Sequence, residues 1–182
     1  MGNRPEVKDA LIVVDAINEF DHEDGDKLLA SFRARASCLE AAIESARASD
    51  IPVVYVNDHF GCWDGDAPGL VRRALRGRGG DVIAAVEPLA GDSFVFKSRY
   101  SGFDHTLLEL LLRQLEVERV LLVGGATEAC VVQTGIDGRE LGYKVTIIAG
   151  ACATIDEALE ELALRYAEAV AGMVVVPAFA NR

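Results

Sequence analysis

Ala10-Leu11-Ile12-Val13-Val14-Asp15-Ala16-Ile17-Asn18-Glu19-Phe20 opens on an unbroken apolar run and changes character at a single carboxylate. A strand with one face in water alternates apolar and polar residues, whereas an unbroken run requires cover on both faces, as in a parallel sheet between helices. Comparable short runs recur at Val53 to Val56, Phe94 to Phe96, Val120 to Val123, Val145 to Ile148 and Met173 to Val176. Between them lie helical patterns, Lys27 to Ala48, Thr106 to Leu115, Glu128 to Leu141 and Asp156 to Ala171, with apolar residues recurring every three or four positions. The alternation predicts one α/β domain over residues 1–182, a doubly wound sheet between two helical layers. Thr154-Ile155-Asp156-Glu157 reads as a capping box for the last helix, and Pro52 and Gly142 mark helix ends. The stretch from Gly61 to Gly91 is the least regular and suits short helices and loops over a pocket.

The composition narrows the function. Eighteen Lys and Arg against twenty-nine Asp and Glu leave a formal charge of −11, the wrong sign for gathering phosphate backbones, so nucleic acid is not an expected partner. Arg72, Arg73, Arg76 and Arg78, interleaved with Gly77, Gly79 and Gly80, read as a solvated loop. No apolar run approaches the roughly 20 residues of a membrane span, and Met1-Gly2-Asn3-Arg4-Pro5 lacks the pattern of a secretory signal. The expectation is a cytoplasmic protein with a small-molecule substrate and no membrane. The four cysteines, Cys38, Cys62, Cys130 and Cys152, have no C-x-x-C pair and no matching histidines, which predicts reduced thiols and no metal. Asp15-Ala16-Ile17-Asn18 follows the first strand where a dinucleotide site would carry G-x-G-x-x-G, so no cofactor is expected either.

Ligands of doubly wound sheets sit at the carboxyl ends of the strands. There the first strand ends in Asp15, the third in Lys97, and the fourth runs into Gly124-Gly125-Ala126-Thr127 with Cys130 just inside the next helix. Taken singly, such an Asp caps a turn, such a Lys points to water and such a Cys is packing. Together they are a base, a cation and a nucleophile. With Thr127 as N-cap, Cys130 would lie in a first helical turn whose dipole favours the thiolate. Asp15 would take the thiol proton, Lys97 would stabilise the charges, and the amides of Ala126 and Cys130 would form an oxyanion hole. Asn18, Phe20, His59, Trp63, Tyr100 and Phe103 are pocket walls by position, with core packing as the alternative for each aromatic.

These segments resemble the isochorismatase-like cysteine hydrolases, which include nicotinamidases, N-carbamoylsarcosine amidohydrolases, ureidoacrylate hydrolases and biuret hydrolases. The resemblance rests on Ala10 to Phe20, on Phe96-Lys97-Ser98-Arg99-Tyr100-Ser101-Gly102-Phe103 and on Gly124-Gly125-Ala126-Thr127-Glu128-Ala129-Cys130-Val131. Thr134, Asp137, Gly142-Tyr143-Lys144-Val145 and Ala151-Cys152-Ala153 extend it. It implies a six-stranded parallel sheet of order 3-2-1-4-5-6, a triad of Cys130, Asp15 and Lys97, a cis peptide at Gly125–Ala126, and a homodimer or homotetramer. Gly125 departs from the family, whose members generally carry Val or Ile there. The Asp-x-His…His metal set of nicotinamidases is not reproduced by Asn57-Asp58-His59, because His22 and His105 are the only other histidines. The implied activity is hydrolysis of a small amide, carbamoyl or ureido group through a thioester. The alternatives are acid-catalysed vinyl ether hydrolysis of isochorismate and a silent binding module on the same fold.

Overall fold

The computed structural model describes residues 8–179; Met1 to Pro5, read above for a leader, lie outside them. Six strands, β1 (Asp9–Val14), β2 (Val53–Asp58), β3 (Ser93–Lys97), β4 (Arg119–Gly125), β5 (Lys144–Ala153) and β6 (Val174–Val176), form one parallel sheet of order β3-β2-β1-β4-β5-β6. The helices are α1 (Gly25–Ala48), α2 (Ala67–Arg76), α3 (Gly80–Val86), α4 (Leu108–Gln114), α5 (Val132–Glu140) and α6 (Glu157–Ala169). A π-helical turn, Thr127–Val131, precedes α5.

Period-two geometry splits each central strand between two cores. Leu11 and Val13 of β1 and Leu121 and Val123 of β4 face Leu28, Phe32, Leu39 and Ile43 of α1, with Leu70 of α2 and Ile83 of α3 beside them. Ala10, Ile12, Val14, Val120 and Leu122 face the other way, onto Leu108 and Leu112 of α4, Val132 of α5 and Ala167 of α6. Both faces of β1 are therefore dry, as its unbroken apolar run requires. Among the described residues no helix is long and apolar enough to cross a membrane.

The structure revises two local expectations. The cap of α6 is Asp156, whose Oδ1 accepts from the N–H groups of Ala158 and Leu159, so Thr154 is not the capping residue. Arg72, Arg73 and Arg76 lie on α2 rather than in a loop, because Asp66 caps that helix at the Gly69 N–H (2.8 Å), Pro68 fits its first turn and Gly77 ends it. Arg72 pairs with Asp66, Arg73 with Glu19, and Arg78, just beyond the helix, with Asp26.

The chain reverses its direction of travel between β1 and β4, and two glycines shape that crossing. Gly124 has φ +111°, a conformation that side chains strongly disfavour, and an added Cβ would sit 2.0 Å from the Val14 carbonyl oxygen. Gly125 faces the Phe32 ring, whose Cζ lies 2.9 Å from where a Cβ would be. Phe32 thus occupies the space that a larger side chain at residue 125 would need. The Gly125–Ala126 peptide is cis. Gly124→Ala meets both the φ penalty and the Val14 backbone, so it should destabilise the fold by at least ~2 kcal/mol, a drop of roughly 4–8 °C in Tm. Thermal unfolding checks this; an unchanged Tm would show that β1 and β4 can part without loss.

Candidate active site

Parallel register brings the strand ends together. Lys97 is the last residue of β3 and lies level with Asp58 on β2, while Val14, just before Asp15, lies level with Gly124 on β4. Asp15 has φ +46°, a left-handed conformation unusual outside glycine, and its N–H donates to the Val56 carbonyl (3.0 Å). That turn of the backbone ends β1 and swings the carboxylate across the edge of the sheet.

Asp15 Oδ2 lies 2.7 Å from Lys97 Nζ, and the same Nζ lies 3.5 Å from Cys130 Sγ. The Lys97 ammonium also donates to the Arg99 carbonyl (3.0 Å), and Asp15 Oδ1 accepts from the Asp58 N–H (2.7 Å). Asp15 is 7 % exposed and Lys97 2 %, so the charges are held out of water, which is tolerable only because each is paired and hydrogen-bonded. Burial pushes the Asp15 carboxyl up, against the opposing pull of the Lys97 ammonium, the Cys130 thiol and the Asp58 N–H. Burial would lower the Lys97 ammonium, but Asp15, Cys130 and Asp58 together hold it above its ordinary value. Cys130 is pushed up to about 12, first by burial and then by the Asp15 carboxylate, with Lys97 opposing. Burial and the Asp15 carboxylate thus oppose the thiolate that a helix start would favour.

Thr127 is also not the N-cap. Ala126 occupies that position, and the Thr127 hydroxyl turns inward, 3.0 Å from the Ala153 carbonyl and 2.7 Å from Glu160 Oε1. The far end of the turn is fixed by Thr134, whose hydroxyl donates to the Cys130 carbonyl (2.7 Å) and accepts from the Gly102 N–H (2.9 Å).

The expected pocket walls divide into exposed and buried side chains. Trp63 (79 % exposed) and Tyr100 (68 % exposed) stand in solvent, and His59, half-buried, lies against Trp63 with ring centroids 3.9 Å apart. The His59 N–H donates to the Lys97 carbonyl (3.3 Å), joining the loop after β2 to the lysine. Phe20, by contrast, is a core residue rather than a wall: it is fully buried and meets Phe32 edge-on at 5.7 Å. Phe103 is likewise packing, stacked on Tyr143 at 5.8 Å beside Gly138. Asn18 is buried and builds its own loop, its Oδ1 accepting from the Phe20 N–H (2.6 Å).

Sequence reasoning missed Asn57. Fully buried on β2, it accepts from the Ile17 N–H (3.0 Å) and donates to the Ile17 carbonyl (2.9 Å), clamping the segment after Asp15 to the neighbouring strand. A lone amide at the end of an otherwise Val-rich buried run was the available signal. Among the described residues no group of three or more His, Cys, Asp or Glu side chains is placed to hold a metal ion. The Asp58 carboxylate accepts from the Phe60 N–H and His59 Nδ1 from the Gly61 N–H, so both side chains brace their own loop.

A sequence profile of the isochorismatase domain matches residues 9–176. The chain is 31% identical over 161 residues to the uncharacterized isochorismatase family protein YaaI of Bacillus subtilis (strain 168), covering 88% of this chain and 89% of that one. It is 31% identical over 173 residues to the ureidoacrylate amidohydrolase RutB of Serratia proteamaculans (strain 568), covering 78% of this chain and 68% of that one. Among solved structures it is similar to the N-carbamoylsarcosine amidase of Thermoplasma acidophilum, with a TM-score of 0.70 and 30% identity over 93% of this chain and 96% of that one. Sheet order, profile and relatives agree, and the chain belongs to the isochorismatase family of hydrolases.

Proposed function

We propose that this protein is a cysteine amidohydrolase that cleaves a small amide, carbamoyl or ureido substrate through a thioester on Cys130. The observation that carries the reading is the meeting of Asp15, Lys97 and Cys130 from three separate strand ends, with Lys97 Nζ 2.7 Å from the carboxylate and 3.5 Å from the sulfur. The amidohydrolase names of two relatives, RutB and the N-carbamoylsarcosine amidase, support the same bond class.

In this mechanism Asp15 takes the Cys130 proton as sulfur bonds to the substrate carbonyl carbon, and the C=O electron pair moves onto oxygen. Because the thiol is held well above neutral pH, proton removal accompanies attack rather than preceding it. The amides of Ala126 and Cys130 receive the oxyanion. Collapse breaks the C–N bond, and the leaving nitrogen takes the proton from Asp15. A water then attacks the acyl or carbamoyl thioester, giving its proton to Asp15, which returns one to the departing sulfur. Lys97 stays charged throughout and holds carboxylate and sulfur in register. His59, Trp63 and Tyr100 line the approach at the rim.

Cys130→Ala should lower turnover of every substrate found in a panel of small amides, ureido acids and carbamoyl compounds by at least ~10³-fold, measured as released ammonia or amine. The panel should include isochorismate, since acid catalysis of vinyl ether hydrolysis by Asp15 has no need of sulfur. Turnover that survives the substitution would contradict the nucleophile assignment.

The pH profile follows from the same groups. Asp15 acts as a carboxylate and burial raises its pKa, so kcat/KM should be lost as pH falls, through an acid limb lying above the ordinary carboxylate value of about 4. Lys97 is held above its ordinary value, so no basic limb should appear below about pH 10. A basic limb centred near pH 8 would show that a different group governs the reaction.

A further inference from the structure

We infer that Arg35, Glu160 and Thr127 form a positioning latch that sets the orientation of the nucleophile turn, and that the reaction depends on it. The inference rests on the proposed chemistry of Cys130 and concerns residues that do not touch the substrate.

Thr127 opens the π-helical turn that carries Cys130, and its side chain is fully buried. A hydroxyl has one proton to give, and of its two neighbours the Glu160 carboxylate is both nearer and charged, at 2.7 Å against 3.0 Å for the Ala153 carbonyl. Glu160 sits on α6 only 8 % exposed, on the same helix as Ala163, Leu164 and Ala167, which pack into the second core. A carboxylate there must be paired. Arg35 supplies the pair from α1 as a two-pronged fork, Nη1 at 2.6 Å from Oε1 and Nη2 at 2.7 Å from Oε2, and Nη1 also reaches the Cys152 carbonyl of β5. The fork joins helices from opposite faces of the sheet around its carboxyl edge, beside the nucleophile turn.

The next residue repeats the device. Glu128 accepts from the Thr154 hydroxyl (2.8 Å) and from the Ile155 N–H (2.9 Å), so one residue that begins the turn is tied to β5 and α6 and the next to the connection between them. For stability alone, an apolar trio of similar volume would serve as well or better than a buried ion pair. What apolar contacts lack is direction. The hydrogen bond from Thr127 fixes the turn one residue beyond Ala126, and a small rotation there would move the amides of Ala126 and Cys130 off the oxyanion position. Those bonds strengthen as charge develops, so misalignment should reduce kcat with little effect on KM.

The test combines two readouts on the whole protein. Hydrogen exchange of amides 126–131 needs no substrate. Thr127→Val and Glu160→Gln should speed it by roughly tenfold, while Thr127→Ser, which keeps the hydroxyl, should leave it unchanged. With an amide or ureide substrate, Thr127→Val should lower kcat by about 10- to 100-fold and leave KM within about twofold, and Thr127→Ser should restore most of the rate. The double replacement Arg35→Met with Glu160→Met separates position from stability: its Tm should stay near that of the native protein while kcat falls as in Thr127→Val. Native exchange in Thr127→Val overturns the latch whatever the substrate. Native kcat in the double variant, or losses that only track the folded fraction, overturn its link to catalysis. Turnover that persists in Cys130→Ala instead defeats the proposed function, and the exchange result still decides the latch.

Discussion

The ion pair between Asp15 and Lys97 imposes the main constraint on this fold. Two charges almost closed to water must find each other across β2, so the ends of β1 and β3 have to stop at matching heights. A parallel sheet provides that alignment, since its strands share one direction and their carboxyl ends gather on one edge. The remaining hydrogen-bonding capacity of the pair is used locally. The Asp58 N–H takes one carboxylate oxygen and the Arg99 carbonyl one ammonium proton, leaving the ammonium in reach of the sulfur. The same burial that makes the pair demanding raises both the Cys130 thiol and the Asp15 carboxyl above their ordinary values.

Backbone geometry around the pair is correspondingly exacting. Asp15 turns left-handed, Asn57 fastens the segment that follows it to β2, and Gly124 lets β4 pass close against the Val14 carbonyl. On the other side of the cysteine, Thr134 and the Arg35–Glu160–Thr127 contacts hold the turn at both ends. Each of these residues binds backbone or another side chain, which is how a site spread over three strand ends keeps one arrangement.

Much of this was legible in the sequence because the decisive residues stand beside strong signals. Asp15 and Lys97 end apolar runs, and the Gly124-Gly125 pair announces the turn before Cys130. The aromatic residues carried no such mark. Phe20 and Trp63 both lie in loops, where no period assigns a face, and only the packing of Phe32 against Phe20 draws one into the core while the other stays in water. Thr127 looked like a cap from its place before a helical pattern, but the turn is π-helical and the hydroxyl finds a carboxylate more than thirty positions later in the chain. Glu160 itself reads as one more surface acid on α6 until Arg35, from the opposite layer, is seen to cover it. Long-range pairings of this kind have no local signature.

The central claim is that sulfur of Cys130 becomes covalently bound to the substrate carbonyl. It is tested most directly by quenching the enzyme in acid during turnover and weighing its peptides. The account predicts an added acyl or carbamoyl mass on the peptide containing Cys130, removed by hydroxylamine as a thioester is, with Cys38, Cys62 and Cys152 unmodified. An adduct on any other residue, or continued turnover by protein whose Cys130 has been blocked by alkylation, would contradict it.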